Sequence, residues 1–232
     1  MKRLTLLFAC LLVFTDLGYS QSSIRDTEVA MCWGNPWVLA DTAQWSAVYE
    51  QLDVLKIYVG NIDSRVDPVQ SRAFVEALLR HDISIAIELG GLLDWHADKG
   101  AQTAAASFQQ EYAKVLPLIR LIQEIDPSRS IDMLDMDGPI RRMLFPQKKK
   151  EAYHTITSAV DELAKVVQLW RDSIPGIRIN LLTNFPNWAW DATPAYFAID
   201  GQADGFGQFR DVLNTIAAKP GLQLDGLTID NP

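Results

Sequence analysis

Cysteine is almost missing from this chain: Cys10 and Cys32 are the two among 232 residues. Cys10 lies inside an N-terminal apolar run, so a chain that loses that run keeps one thiol and forms no intrachain disulfide. Stability must then come from a buried core. Histidine is scarce as well, and His81, His96 and His154 lack the paired spacing of a zinc site. Basic residues number 21 against 29 acidic ones, a net charge of −8 that opposes binding to a phosphate backbone. The one basic run, Lys148 to Lys150, stands where a helix begins and reads as solvated surface. These deficits speak against nucleic acid as a partner. No Gly-x-Gly-x-x-Gly follows the first strand and no Gly-Lys-Thr loop is present, so nucleotide cofactors receive no support. No serine sits in a nucleophile elbow, and the sequence calls for no metal or other cofactor.

The first residues have a plain order. Met1-Lys2-Arg3 is charged, Leu4 to Phe14 is apolar, and Thr15 to Ser20 is polar, as in a secretory signal peptide over residues 1–20. The apolar part is too short to span a bilayer. Gly18 and Ser20 supply the small side chains that cleavage before Gln21 requires. A lipid anchor on Cys10 is disfavoured, because Phe8 stands where a small residue is wanted. The expected product is secreted or periplasmic, with no transmembrane segment in the mature chain; its oligomeric state stays open.

Residues 21–232 read as a single domain. Short apolar runs recur at 29–33, 54–59, 83–89, 131–137, 177–183 and 224–230, and these are the expected strands. Stretches with apolar residues three and four apart lie between them, at 42–51, 69–80, 104–124, 151–172 and 208–217. Strand followed by helix, repeated, makes a parallel sheet. Two arrangements compete, an open sheet covered on both faces and a closed barrel. An open sheet would be apolar on both faces, whereas Ile83, Ile85 and Ile87 alternate with Ser84, Ala86 and Glu88, and Leu55 and Ile57 alternate with Lys56 and Tyr58. Branched residues beneath helices and polar ones facing inward describe a (β/α) TIM-like barrel. Six strands are two short of the usual eight, so the barrel is expected to be truncated, incomplete at the C-terminus.

Lys56, Tyr58, Glu88, Asp135, Asp137, Asn184 and Asp230 would converge at one end of that barrel. In Ser130-Ile131-Asp132-Met133-Leu134-Asp135-Met136-Asp137-Gly138-Pro139, two aspartates end a strand and face the same side. The spacing of Asp132, Asp135 and Asp137 resembles the fourth-strand motif of the family 18 glycoside hydrolases, the chitinase-like barrels. Pro139 stands where that motif has its catalytic glutamate. A second stretch, Asp225 to Pro232, is a weaker echo, with Thr228 in place of the middle aspartate. The chain also resembles retaining glycosidases of the α-galactosidase and α-glucosidase type, which use an aspartate after the fourth strand and another after the sixth. That resemblance implies Asp137 as nucleophile or stabiliser and Asp230 as acid/base. Glycoside cleavage needs two such carboxyls, about 5 Å apart for direct attack or wider to admit an inverting water. A purely structural role for Asp135 and Asp137, paired with Arg141 or Arg142, is the alternative.

Trp33 and Trp37 follow the first expected strand, and Trp188 and Trp190 the fifth; flat rings there can stack on sugars or simply pack. The expected site is therefore Asp137 and Asp230 for catalysis, with Asp135, Glu88, Tyr58, Asn184, Trp33, Trp188 and Trp190 binding a carbohydrate. Two other classes remain: a sugar-binding relative or truncated remnant without turnover, and a metal-dependent barrel isomerase, aldolase or lyase using Glu88, Asp137 and His96.

Overall fold

The computed structural model describes residues 28–62, 67–93, 95–96, 100–101, 103–144, 154–184, 188 and 205–230. The expected signal peptide over 1–20 and Trp190 lie outside these. In chain order the elements are β1 (Ala30–Cys32), a 3-10 turn (Pro36–Ala40), α1 (Ser46–Tyr49), β2 (Val54–Tyr58), a second 3-10 turn (Val59–Asn61), α2 (Pro68–Arg80), β3 (Ser84–Leu89), β4 (Trp95–His96), β5 (Gly100–Ala101), α3 (Ala104–Ile125), β6 (Met133–Asp137), α4 (Pro139–Leu144), α5 (Ile156–Ser173), β7 (Arg178–Asn184), α6 (Gly205–Ala218) and β8 (Gly226–Asp230).

The long helices begin where side chains can accept the first free N–H groups. Asp67 accepts from Val69 N before Pro68 opens α2, Thr103 accepts from Ala106 N, and Thr155 from Ser158 N. Thr155 sets the start of α5 later than the expected position 151. Gly176 and Gly221, after α5 and α6, hold φ of +82° and +78°, which a side chain disfavours; each turns the chain back toward the next strand. The expected helix over 42–51 is a correction: that segment forms turns and only the short α1, after the 3-10 turn opened by Pro36.

Six strands form one sheet in the order β1-β2-β3-β6-β7-β8, and every neighbouring pair is parallel. Spatial order follows chain order without reversal, unlike a doubly wound sheet. The short pair β4 and β5 is a separate antiparallel ribbon. Leu55, Ile57, Ile85, Ile87, Leu134, Met136, Ile179 and Leu181 alternate along the outer face and are buried in the main core with Leu78, Val115, Leu163 and Val212 of the helices. The other face begins with a small apolar floor of Val54, Ala86 and Met133 and turns polar above it.

That inner face is concave. Arg178, at the start of β7, lies 2.9 and 3.0 Å from the two carboxylate oxygens of Glu28, just before β1. Four strand intervals laid flat would separate them by roughly 19 Å, so the sheet curls to bring them together. The fold is an α/β TIM-like partial barrel, a curled half-barrel with helices on its convex side. On β8, Leu227 and Ile229 are 41% and 51% exposed, because no described helix covers the outer face of that edge strand.

Candidate active site at the strand ends

Register stacks the inner-face residues in tiers. Lys56 lies opposite Ala86, which lies opposite Met133; one tier higher, Tyr58 faces Glu88 and Glu88 faces Asp135. Asp135 is level with Asn180 and Gly226, Asp137 with Leu182 and Thr228, and Asn184 with Asp230. Parallel strands point every one of these residues toward the same sheet end. Glu88, Asp135, Asp137 and Asp230 thus gather on a concave polar surface.

Lys56 is the hinge of the charges. Its Nζ stands 2.8 Å from Glu88 Oε2 and 3.1 Å from Asp135 Oδ2. Burial by itself lowers the Lys56 pKa, but hydrogen bonds and charge from Glu88 and Asp135 outweigh burial and raise it above the ordinary lysine value. An ammonium held this way does not serve as a Schiff-base nucleophile, which requires the neutral amine. Asp135 is buried, and its second oxygen accepts from Thr228 Oγ1 at 2.9 Å, so its acceptor groups are engaged from both neighbouring directions.

Asp137 is tied differently. Arg142 Nη2 lies 2.7 Å from its Oδ2, and Arg142 Nη1 also donates to the Asp137 backbone oxygen. The guanidinium comes from α4, whose first residue is the buried Pro139. Pro139 therefore has a local job: proline fits the first turn of a helix, where its missing N–H costs nothing. Asp230 is exposed at the end of β8 and enters no ion pair or hydrogen bond among the described residues. Across the open side, the Cys32 thiol of β1 feels the cluster: burial raises its pKa, Lys56 opposes that, and Glu88, Asp135 and Asp230 add to it.

The aromatic residues separate. Tyr58 is 43% exposed at the inner rim. Trp33 meets Trp45 edge-on at 4.9 Å. Trp188 is buried at 2% exposure; its Nε1 donates to Thr183 Oγ1 at 2.8 Å, and its ring packs on Phe209 at 5.2 Å. It belongs to the helix-covered side of the sheet, away from the carboxylates. At the end of β7, one buried side-chain oxygen of Asn184 has no hydrogen-bond partner among the described residues.

Asp132, the first aspartate of the motif, does not join the cluster. Its Oδ2 accepts from Ile85 N at 2.8 Å, at the opposite end of the strands. Asp225 does the same for Ile179 N at 2.7 Å, and Asp53 for Val29 N at 2.8 Å. Each aspartate immediately precedes a strand and fixes the neighbouring strand's backbone, a structural repeat that sequence reasoning missed. Its only signal is an aspartate one residue before β2, β6 and β8. No group of three His, Cys, Asp or Glu side chains among the described residues is arranged to hold a metal ion; the His96 side chain is outside that description. A groove of about 600 Å³ between α2 and α3 has Lys114 as its one charged lining residue among the described residues, which therefore offer no carboxyl pair there. No helix among the described residues is long and apolar enough to cross a membrane.

No family model matches the chain, and no curated protein matches it. Solved structures do. A psychrophilic glycoside hydrolase family 10 endo-beta-1,4-xylanase is similar over 88% of this chain and 64% of its own, at 8% identity and a TM-score of 0.52. The C-terminal domain of Legionella pneumophila ChiA is similar over 88% of this chain and 57% of its own, at 12% identity and a TM-score of 0.48. A GH18 chitinase from Pseudoalteromonas aurantia is similar over 89% and 68%, at 12% identity and 0.46. This chain thus spans less than two thirds of the xylanase's length. At such identity the likeness is one of fold alone, and the xylanase's carries the partial (β/α) barrel described above.

Proposed function

We propose that the protein is an exported glycoside hydrolase-like barrel that cleaves a glycosidic bond in an oligosaccharide or glycoside. The observation that carries this reading is the contrast between Asp137 and Asp230 on one concave surface. Asp137 is ion-paired with Arg142, the pairing that a purely structural role also expects, and the same pair suits the part that needs an anion facing the anomeric carbon. Asp230 is exposed and unpaired among the described residues, which leaves its carboxyl accessible to the departing oxygen, the partner that the acid/base part must reach. Asp135 and Glu88, fixed by Lys56, would anchor sugar hydroxyls, with Tyr58 beside Glu88 and Asn184 beside Asp230. The charged, apolar and polar order of residues 1–20 supports action outside the cytoplasm.

One observation favours a second reading, sugar binding without turnover. Pro139 stands at the place of the family 18 glutamate and is committed to starting α4, so no acid is available there. Turnover of a panel of aryl glycosides and oligosaccharides, measured with Asp137→Ala and Asp230→Ala beside the unchanged chain, decides between them. Cleavage that disappears in both folded variants supports the hydrolase. Sugar binding with no cleavage by the unchanged chain supports the second reading, and cleavage that survives Asp137→Ala overturns the assignment.

A further inference from the structure

The tryptophans that the sequence offers for stacking are largely spent on packing: Trp188 is buried against Phe209, and Trp33 lies edge-on to Trp45. Tyr58 is different. It ends β2 on the inner face, lies opposite Glu88 in register, and leaves 43% of its surface to solvent. Its ring is also held. A Cβ on Gly60 would come within 2.9 Å of Tyr58 Cε1 and 3.2 Å of Cδ1, and a Cβ on Gly90 within 2.7 Å of Oη and 3.1 Å of Cε2. Neither glycine has a positive φ that would demand glycine for backbone reasons. What they permit is the close approach of this ring along its length.

An exposed aromatic ring ordinarily loses freedom when it binds something, and that loss weakens binding. Here two backbone segments, the turn after β2 and the turn after β3, fix the ring in advance. The sheet end that carries this ring also carries four carboxylates, Glu88, Asp135, Asp137 and Asp230, against three cations, Lys56, Arg142 and, with Arg142 at the Gly138 turn, Arg141. Such a surface repels an anionic ligand.

We propose that Tyr58, clamped by Gly60 and Gly90, is the stacking platform that selects an uncharged pyranoside with a flat apolar face and rejects uronates. This rests on the carbohydrate reading of the same site. A pyranose whose hydroxyls are equatorial presents axial C–H groups as a flat face, the shape an aromatic ring accepts. A carboxylate on the sugar would face the surplus of acidic side chains.

The test is binding by calorimetry, with xylotetraose and cellotetraose as neutral probes and tetragalacturonate as the anionic one. The unchanged chain is expected to bind at least one neutral probe and not the uronate. Tyr58→Ala is expected to weaken that binding roughly three- to tenfold, and Tyr58→Phe to keep most of it. Gly90→Ala, which keeps the phenol but pushes it aside, is expected to weaken binding as Tyr58→Ala does. Saturation transfer from the Tyr58 ring to sugar protons in the unchanged chain gives the same answer without a substitution. Neutral sugar bound with equal affinity by Tyr58→Ala, or no transfer from the Tyr58 ring, overturns the platform and leaves the carbohydrate reading standing. Tetragalacturonate binding as tightly as the neutral probes overturns the selectivity. Binding that depends on Tyr58 without any turnover supports the platform and removes the hydrolase; no binding of any probe overturns both.

Discussion

Lys56 Nζ stands 3.1 Å from Asp135 Oδ2 although β3 lies between their strands. The lysine bridges because Ala86, between them at its own level, is small, and because the same ammonium reaches Glu88. Both partners are largely withdrawn from solvent, at 16% and 3% side-chain exposure. Removing the cation leaves a buried carboxylate without its counter-charge. Lys56→Met is therefore expected to cost about 3–5 kcal/mol, read as a lower urea midpoint. Adding Asp135→Asn to Lys56→Met should recover part of the loss, since the amide needs no cation and can still meet Thr228. A double variant as unstable as the sum of the singles would contradict the coupling.

Asp132 carries the opposite expectation. It binds Ile85 N at the far end of the strands from the carboxylate cluster. Asp132→Ala should lower stability by about 1–3 kcal/mol, the worth of a hydrogen bond to a charged group, while leaving turnover per folded molecule unchanged. A fall in turnover with stability intact would place Asp132 in the chemistry after all.

Gly91 tests packing rather than conformation. A Cβ there would lie 2.6 Å from Glu111 Oε1, and Glu111 is fully buried in α3 with Lys114 on the same oxygen at 2.6 Å. The carboxylate cannot swing outward to make room. Gly91→Ala should destabilise by about 1–3 kcal/mol through overpacking. Gly91→Ala combined with Glu111→Ala should show less than additive loss, and simple additivity in thermal unfolding would speak against the contact.

Tyr49 gives a pH dependence of definite sign. Its hydroxyl donates to the Leu39 carbonyl at 2.7 Å, and burial, slightly offset by Arg80, raises its pKa to about 12. In the unfolded chain a tyrosine ionises near 10. The folded value is the higher one, so this contribution is whole below pH 10 and drains away as pH rises to 12, by about 2–3 kcal/mol. Tyr49→Phe should flatten the decline in urea stability over that window; an unchanged slope would assign it to other groups.

The alternation of isoleucine with small or polar residues in β3, and of leucine and isoleucine with Lys56 and Tyr58 in β2, made the two faces of the sheet legible in advance. Period two converts directly into opposite sides of a strand, and a helix-covered face must be apolar. Asp135 and Asp137 were legible as a same-side pair for the same reason. Asp132 shares the motif with them only by spacing, and spacing along a chain does not say which end of the sheet its oxygen will serve. Asp225 and Asp230 show the same division between the start and the end of β8.

Trp188 illustrates the other limit. A tryptophan after a strand has the same local pattern whether it hangs over the strand ends or folds back onto the helices, and Thr183 with Phe209 settles it in the second way. Pro139 likewise became intelligible only as the first residue of α4.

The sequence by itself determined the repeated strand and helix order, the polar inner face and the acidic balance, since each depends on neighbours within one strand, one helix or the whole composition. Only the tertiary structure decided that Glu28 meets Arg178, that Lys56 holds Glu88 and Asp135, and that Gly60 and Gly90 grip Tyr58. Those relationships depend on the curl of the sheet and on the register of separate strands, and both are set by how the outer apolar face packs beneath its helices.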